Sequence, residues 1–254
     1  MFCLFSLENT FAQQDTSATA TLNGPREDNP ADFITRLEVF NKLQQFQHGV
    51  YLDVTTLRAV VALGDKFTTR LDVPVVYNSM NIQGYVQFGI GDISLRLLGY
   101  RIFKSPRSAL LTSVEFSFNT AQSPLLGTGK NIIIPVVAYS WILPKSRTIL
   151  ALSFQEYYSL WGDRSRPDIS FTRLQGHYIQ GWTKKFWTVL LPDLFIDYIN
   201  GGASMNLEAT LAYRATGRFI FWGKGGAGLF GDFFTRYNWA AELGIRYMIM
   251  RKSK

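Results

Sequence analysis

The sequence predicts an all-β chain: a transmembrane, antiparallel, up-and-down β-barrel of about twelve strands. Three observations carry this expectation. The first is the stretch 66–103, KFTTRLDVPVVYNSMNIQGYVQFGIGDISLRLLGYRIF. Phe67, Thr69, Leu71, Val73, Val75 and Tyr77 share one face, and Lys66, Thr68, Arg70, Asp72 and Pro74 the other. After Gly89-Ile90-Gly91 the alternation resumes, with Ile93, Leu95, Leu97 and Phe103 opposite Asp92, Ser94 and Arg96. Period two with one apolar face marks a sheet with one oily side. The opposite face carries ions, which a membrane barrel turns to its lumen while the apolar face meets lipid. The second observation is composition. Aromatics make up 15% of the chain, with 20 Phe, 12 Tyr and 6 Trp. No run reaches the roughly 20 apolar residues of a membrane helix; the oiliest, Ile132 to Leu143, is short and holds Pro135. The third is an alternation of short and long connections.

Taken in order, residues 1–12 read as a residual signal peptide: Phe2 to Leu7 are apolar, and Thr10-Phe11-Ala12 precedes Gln13 as a small-residue cleavage site would. The only cysteine, Cys3, falls there, so the mature chain would have no disulfide. Residues 13–32, rich in Thr, Ala, Asn, Asp and Pro without period, read as a flexible N-terminal segment. Residues 33–251 form the outer-membrane β-barrel domain, undivided by repeat or linker. Strands are expected at 34–46, 50–63, 66–77, 89–103, 108–119, 131–143, 147–159, 169–182, 186–199, 204–215, 218–230 and 238–250. Most reach the ~9–11 residues that a tilted spanning strand needs. Gly64-Asp65, Lys104 to Arg107, Pro144-Lys145-Ser146, Thr183-Lys184 and Thr216-Gly217 make short turns. Asn78 to Phe88, Thr120 to Lys130, Leu160 to Asp168 and Gly231 to Tyr237 make long loops, as periplasmic turns and external loops would. An even strand number puts both termini on the short-turn side.

The net charge of +7 is scattered singly, apart from Arg251-Lys252-Ser253-Lys254, and no recognition motif accompanies it. Nucleic acid is therefore not an expected partner. Gly223-Lys224-Gly225-Gly226-Ala227-Gly228 matches a dinucleotide fingerprint, but no helical period follows it. Gly127-Thr128-Gly129-Lys130 is not a phosphate loop, since Pro124 and Asn131 replace the required glycine and hydroxyl residue. The two histidines, His48 and His177, offer no metal spacing, so no metal or cofactor is expected. His177 could serve as a wall base, yet no serine is tied to it by a motif, and no catalytic residue is assigned. The strand-end aromatics Tyr77, Tyr157, Tyr158, Trp161, Trp182, Trp187, Tyr198 and Trp239 read as interfacial girdles. Phe40, Phe46 and Tyr100 are the candidates for turning inward.

With the apolar faces in lipid, the opposite faces give the lumen and transport candidates. The basic ones are Arg36, Lys42, Arg58, Arg70, Arg96, Arg214 and Arg246; the acidic ones are Glu38, Asp72, Asp92, Glu115, Glu208 and Glu242. Away from bulk water such charges must pair. Arg70, Asp72, Asp92 and Arg96 come from neighbouring strands and are expected to form one ion-paired group.

Arg70-Leu71-Asp72-Val73-Pro74, Gly89-Ile90-Gly91-Asp92-Ile93 and Leu126-Gly127-Thr128-Gly129-Lys130 resemble the outer-membrane transporters of the MetA-pathway of phenol degradation family. Those proteins have an R-x-D-x-P strand, a G-x-G-D turn and a glycine-bearing segment mid-chain; the resemblance spans roughly Arg36 to Tyr247. It implies a Gram-negative bacterial outer-membrane channel for passive uptake of small hydrophobic or aromatic solutes, not an enzyme. Outer-membrane lipid, lipopolysaccharide, the solute and the barrel assembly machinery would be its partners. Two other readings stay open: a barrel-wall, phospholipase-like lipid hydrolase, and a structural barrel sealed by internal ion pairs.

Overall fold

A computed structural model of the chain describes residues 25, 27–46, 49–79, 87–232 and 235–249. The expected signal peptide and His48 lie outside the described residues. The strands are β1 (Arg36–Gln45), β2 (Tyr51–Leu63), β3 (Phe67–Asn78), β4 (Gln87–Ile90), β5 (Ser94–Lys104), β6 (Ser108–Ser117) and β7 (Lys130–Leu143). They continue as β8 (Thr148–Gly162), β9 (Ser170–Gly181), β10 (Phe186–Asp197), β11 (Ala203–Arg214), β12 (Phe219–Phe230) and β13 (Trp239–Met248). Neighbours pair antiparallel, and β13 returns to β1 from Arg36↔Met248 to Gln45↔Trp239. The sheet is therefore closed, which leaves its backbone groups satisfied within the wall. β4 and β5 both pair with β3, so they are two halves of one wall strand and the barrel has twelve staves.

Alternation sorts the two faces. On β11, Ser204, Asn206, Glu208, Thr210 and Ala212 are buried, while Leu207, Leu211 and Tyr213 are exposed. Leu152, Leu190 and Leu243 continue the exposed apolar band on other strands. Aromatics border it at both rims. Tyr51 lies 6.4 Å from Trp239 at the long-loop end, and Tyr139 lies 4.3 Å from Trp141 at the short-turn end. Parity corrects three of the expected aromatic placements. Tyr157 and Tyr158 are consecutive and must take opposite faces; Tyr157 turns inward and stacks on Phe171 at 4.2 Å. Trp187 shares the parity of Val189 and Leu191 and is 1% exposed. Irregularities in β5 between Arg96/Leu98 and Arg101/Phe103 shift its parity, so Tyr100 sits against the exposed Phe67 and Arg101 is buried.

The three motifs behind the family resemblance meet at one joint. The wall strand breaks at residues 91–93, opposite Pro74 on β3, whose carbonyl accepts from Gly91 N at 3.0 Å. In an antiparallel ladder a residue's N–H and C=O point the same way, so the break falls where proline has no donor to lose. The loop 118–129 fills it: Gln122 N donates to Ile90 O at 3.0 Å, and Ile90 N donates to Gln122 Oε1 at 3.0 Å. Asp92 ties this loop down. Its carboxylate accepts from Thr120 N (3.2 Å), Ala121 N (3.2 Å), Thr128 N (2.6 Å) and Thr128 Oγ1 (2.8 Å). A Cβ at Gly127 would collide with that carboxylate, which explains the glycine. Asp92 is thus not part of the lumen ion-pair group expected for it. The strand break removes it from the inward row, and backbone donors take the place of arginine.

The N-terminal segment is the other departure. Glu27 to Asp32, the end of the stretch expected to be flexible, is held at the short-turn end of the barrel. Ala31 is wholly buried and packs with Ala109, Leu111 and Ala138 of the wall. Composition weighs only a segment's own hydrophobicity, and these residues are held by what the wall offers them.

Two results are expected from this architecture. Leu243→Arg, in the middle of the exposed band, should lower unfolding free energy in lipid by about 2–4 kcal/mol, against about 0–1 kcal/mol for Leu63→Arg at the rim. Denaturant titration of vesicle-refolded protein measures both, and equal losses would mean that the outward face is misassigned. Asp92→Ala should expose the 118–129 loop to proteinase K and destabilise the barrel by about 2 kcal/mol or more, since it removes four bonds to a charged acceptor.

Candidate functional site: the barrel lumen

The inward rows enclose a cavity of about 450 Å³. Its lining is mixed. Val136 and Ala138 of β7 with Val189 and Leu191 of β10 are apolar. Most of the ions come from the strands from β11 round through β1 to β6, and Arg173 of β9 and Asp193 of β10 add a further pair.

The ions form an unbroken chain across neighbouring strands. Glu38 accepts from Arg246 Nε at 2.6 Å and Arg36 Nε at 2.7 Å, with Arg58 Nη1 at 3.6 Å. Arg58 grips Asp72 with two bonds, at 2.7 and 2.9 Å. Arg70 bridges Asp72 at 3.3 Å and Glu115 at 2.5 Å, and Arg96 closes on Glu115 at 2.5 Å. The register brings these together: Glu38 lies opposite Arg246 on one side and Arg58 on the other, and Arg58 lies opposite Asp72. All the acids in this chain are at least nine-tenths buried. A buried ion costs several kcal/mol unless paired, and alternating sign along the row supplies the pairing.

A second cluster lies beside it. Glu208 accepts from Lys42 Nζ at 2.6 Å and from Tyr237 Oη at 2.8 Å, and Lys224 Nζ lies 3.4 Å away. Lys224 also bonds Glu242 at 3.0 Å, and Trp222 Nε1 donates to Glu242 at 2.7 Å. Gly244 has no room for a Cβ because the Trp222 ring lies across it. On the far wall, Arg173 binds Asp193, with its shortest contact at 2.5 Å, and His177 lines the cavity two residues along the same face.

The N-terminal segment supplies the remaining acids. Asp28 accepts from Arg246 Nη2 at 3.0 Å and from Trp187 Nε1 at 2.5 Å. Glu27 pairs with Arg214. Asp32 lies 3.4 Å from Lys104 Nζ, and Arg101 donates to Ala31 O at 3.1 Å while stacking over the Phe33 ring at 4.3 Å. Burial pushes the Asp28 carboxyl up, but Arg246 and the Trp187 N–H outweigh burial and hold it below the usual carboxylate value.

Of the lumen candidates read from the sequence, Arg36, Glu38, Arg58, Arg70, Asp72, Arg96 and Glu115 fall in the chain; Glu208 and Glu242 fall in the second cluster. Arg214 and Arg246 hold the N-terminal segment, and only Asp92 lies elsewhere. Sequence reading missed Arg173, Asp193, Lys224 and Arg101. Arg173 was legible from its parity with Gln175 and His177. Lys224 hides in a glycine run, and Arg101 is flipped inward by the β5 irregularities. Among the described residues no group of three His, Cys, Asp or Glu is placed to hold a metal.

No protein-family model matches the chain, and no curated protein does. Solved structures do match. The NanC porin aligns over 84% of this chain and 100% of its own, with 12% identity and a TM-score of 0.63. The KdgM porin in complex with disordered oligogalacturonate aligns over 85% and 99%, with 10% identity and a TM-score of 0.61. An outer membrane channel from Pseudomonas putida F1 aligns over 87% and 99%, with 16% identity and a TM-score of 0.69. At such identities the likeness is one of fold: this chain has the closed twelve-stranded architecture of outer-membrane β-barrel channels.

Proposed function

We propose that the protein is a passive channel of the bacterial outer membrane, admitting small solutes with hydrophobic or aromatic bodies through a charged lumen. The observation that carries this reading is the internal cavity of about 450 Å³, lined by ion pairs and by apolar wall residues together. A purely structural barrel has little to gain from burying so many ions, because an apolar filling of equal volume is often as stable or more so. The meeting of the three family motifs at one joint supports kinship with the phenol-degradation transporters. In this reading lipid and lipopolysaccharide bathe the exposed apolar band, and the assembly machinery inserts the barrel.

The sealed-barrel reading has one observation in its favour, the segment Glu27 to Asp32 lodged in the short-turn mouth. Reconstitution separates the two. Full-length protein in liposomes should pass small aromatic solutes measurably faster than empty vesicles, without hydrolysing lipid. Absence of flux and of current across planar bilayers would sink the channel reading, and lipid hydrolysis would point to the enzyme.

Glu115→Gln tests the ionic side. It leaves Arg96 without its partner and Arg70 with only Asp72. In a dry lumen unfolding free energy should fall by about 3–5 kcal/mol. In a wet pore the loss should be about 1 kcal/mol or less. In a wet pore reversal potentials in a salt gradient should also move toward anion selectivity.

A further inference from the structure

We propose that Arg246, Arg214 and the Trp187 indole form a binding site for a small organic carboxylate with an apolar body, and that Asp28 and Glu27 occupy it in cis when the segment is docked. This inference rests on the channel reading and names the solute chemistry for its inner end.

The site is built by the register. Arg214 on β11 lies opposite Ile220 on β12, and Ile220 lies opposite Arg246 on β13, so both guanidiniums rise from one inward row. Adjacent strands are ~4.8 Å apart, which sets the two arginines about 10 Å apart at the backbone. Ile220, 1% exposed, makes the floor between them. Indoles flank the cations: Arg214 stands over Trp187 at 5.7 Å and Arg246 over Trp222 at 5.3 Å. The arrangement offers fixed donors to a carboxylate and a ring-lined apolar bed to whatever carries it.

The tethered carboxylates show that the site accepts this chemistry. Asp28 takes one bond from a guanidinium and one from the indole N–H, a two-donor clasp of a single carboxylate. Among the described residues Glu27 is the sole ion-pair partner of Arg214. Arg246 still has Glu38, yet its Nη1 is buried without a hydrogen-bond partner. Withdrawal of the segment would leave Arg214 unpaired, Trp187 Nε1 without an acceptor, and Arg246 with two spare donors. Among the described residues the wall provides no acid to replace them, because Glu38, Glu208 and Glu242 are already bound to other cations. An incoming carboxylate restores those bonds. A neutral isostere does not, and it leaves the cations desolvated.

Benzoate is a suitable probe, with benzyl alcohol as its neutral counterpart. Equilibrium dialysis of labelled benzoate against detergent-solubilised full chain reads the site without requiring conduction. The double variant Glu27→Gln/Asp28→Asn should bind benzoate about tenfold more tightly than the native chain, since the internal competitor is gone. Adding Arg214→Gln or Trp187→Phe should weaken that binding by about tenfold. Equal benzoate binding in all variants, or benzyl alcohol binding as well as benzoate, would overturn the proposal. Should the double variant fail to fold, the native segment provides a second reading. In a Cys3→Ser background, Ala31→Cys should react with maleimide severalfold faster when benzoate is present and no faster with benzyl alcohol; no acceleration by benzoate overturns the site. Benzoate binding without solute flux would retain the site and remove the channel, and flux without benzoate binding would do the reverse.

Discussion

The charged side chains described on the inner wall of this barrel find their counter-ions on neighbouring strands and on the N-terminal segment. The backbone ladder is closed and the outer face is apolar, so no route to bulk water exists through the wall. From β13 to β3 the register answers the demand by alternating sign, Arg246–Glu38–Arg58–Asp72, and Arg70 and Arg96, which lie opposite each other, share Glu115. Glu38 serves three arginines, from its own strand and from both neighbours. The chain that follows, through Arg58, Asp72, Arg70 and Glu115 to Arg96, ties β1, β2, β3, β5 and β6 together by side chains as well as by backbone. Val136, Ala138, Val189 and Leu191 fill part of the remaining wall by packing, together with the Arg173–Asp193 pair.

The same demand explains the N-terminal segment. Wall acids such as Glu38 and Glu115 are shared between several cations, and the short-turn mouth holds Arg101, Lys104 and Arg214 besides. Glu27, Asp28 and Asp32 bring negative charge to that end. Much of the positive charge that composition alone might assign to nucleic acid is therefore internal and balanced.

How much of this was legible follows from what strand parity can and cannot see. Regular strands gave up their inward rows directly: Arg36, Glu38, Arg58, Arg70 and Asp72 all lie where period two puts them. Parity failed wherever the chain stops counting by twos. The irregularities of β5 turned Tyr100 out and Arg101 in, and the break at residues 91–93 took Asp92 out of the row. Tyr157 and Trp187 misled for another reason: their position near a strand end suggested a girdle, although their parity with Gln155 and Val189 already placed them inside. The contacts of Glu27 and Asp28 had no signal at all, because an aperiodic acidic segment shows its partner only when the strands are closed around it.

The two ends of the lumen are consequently held by different physics. At the long-loop end, Asp92 collects neutral backbone donors and one hydroxyl, so the loop is pinned by directional bonds that need no counter-charge. At the short-turn end the segment is held mainly by charge. Asp28 has a carboxyl pKa below its ordinary value when docked, so docking is favoured above the ordinary carboxylate range and weakens as pH falls through the lowered value. Acid therefore loosens the inner end through Asp28, whereas the joint around Asp92 also depends on Gln122, Thr120 and Asn78, which do not titrate. A solute carboxylate acts on the inner end in the same direction as acid, by competing for the cations and not by neutralising the anion.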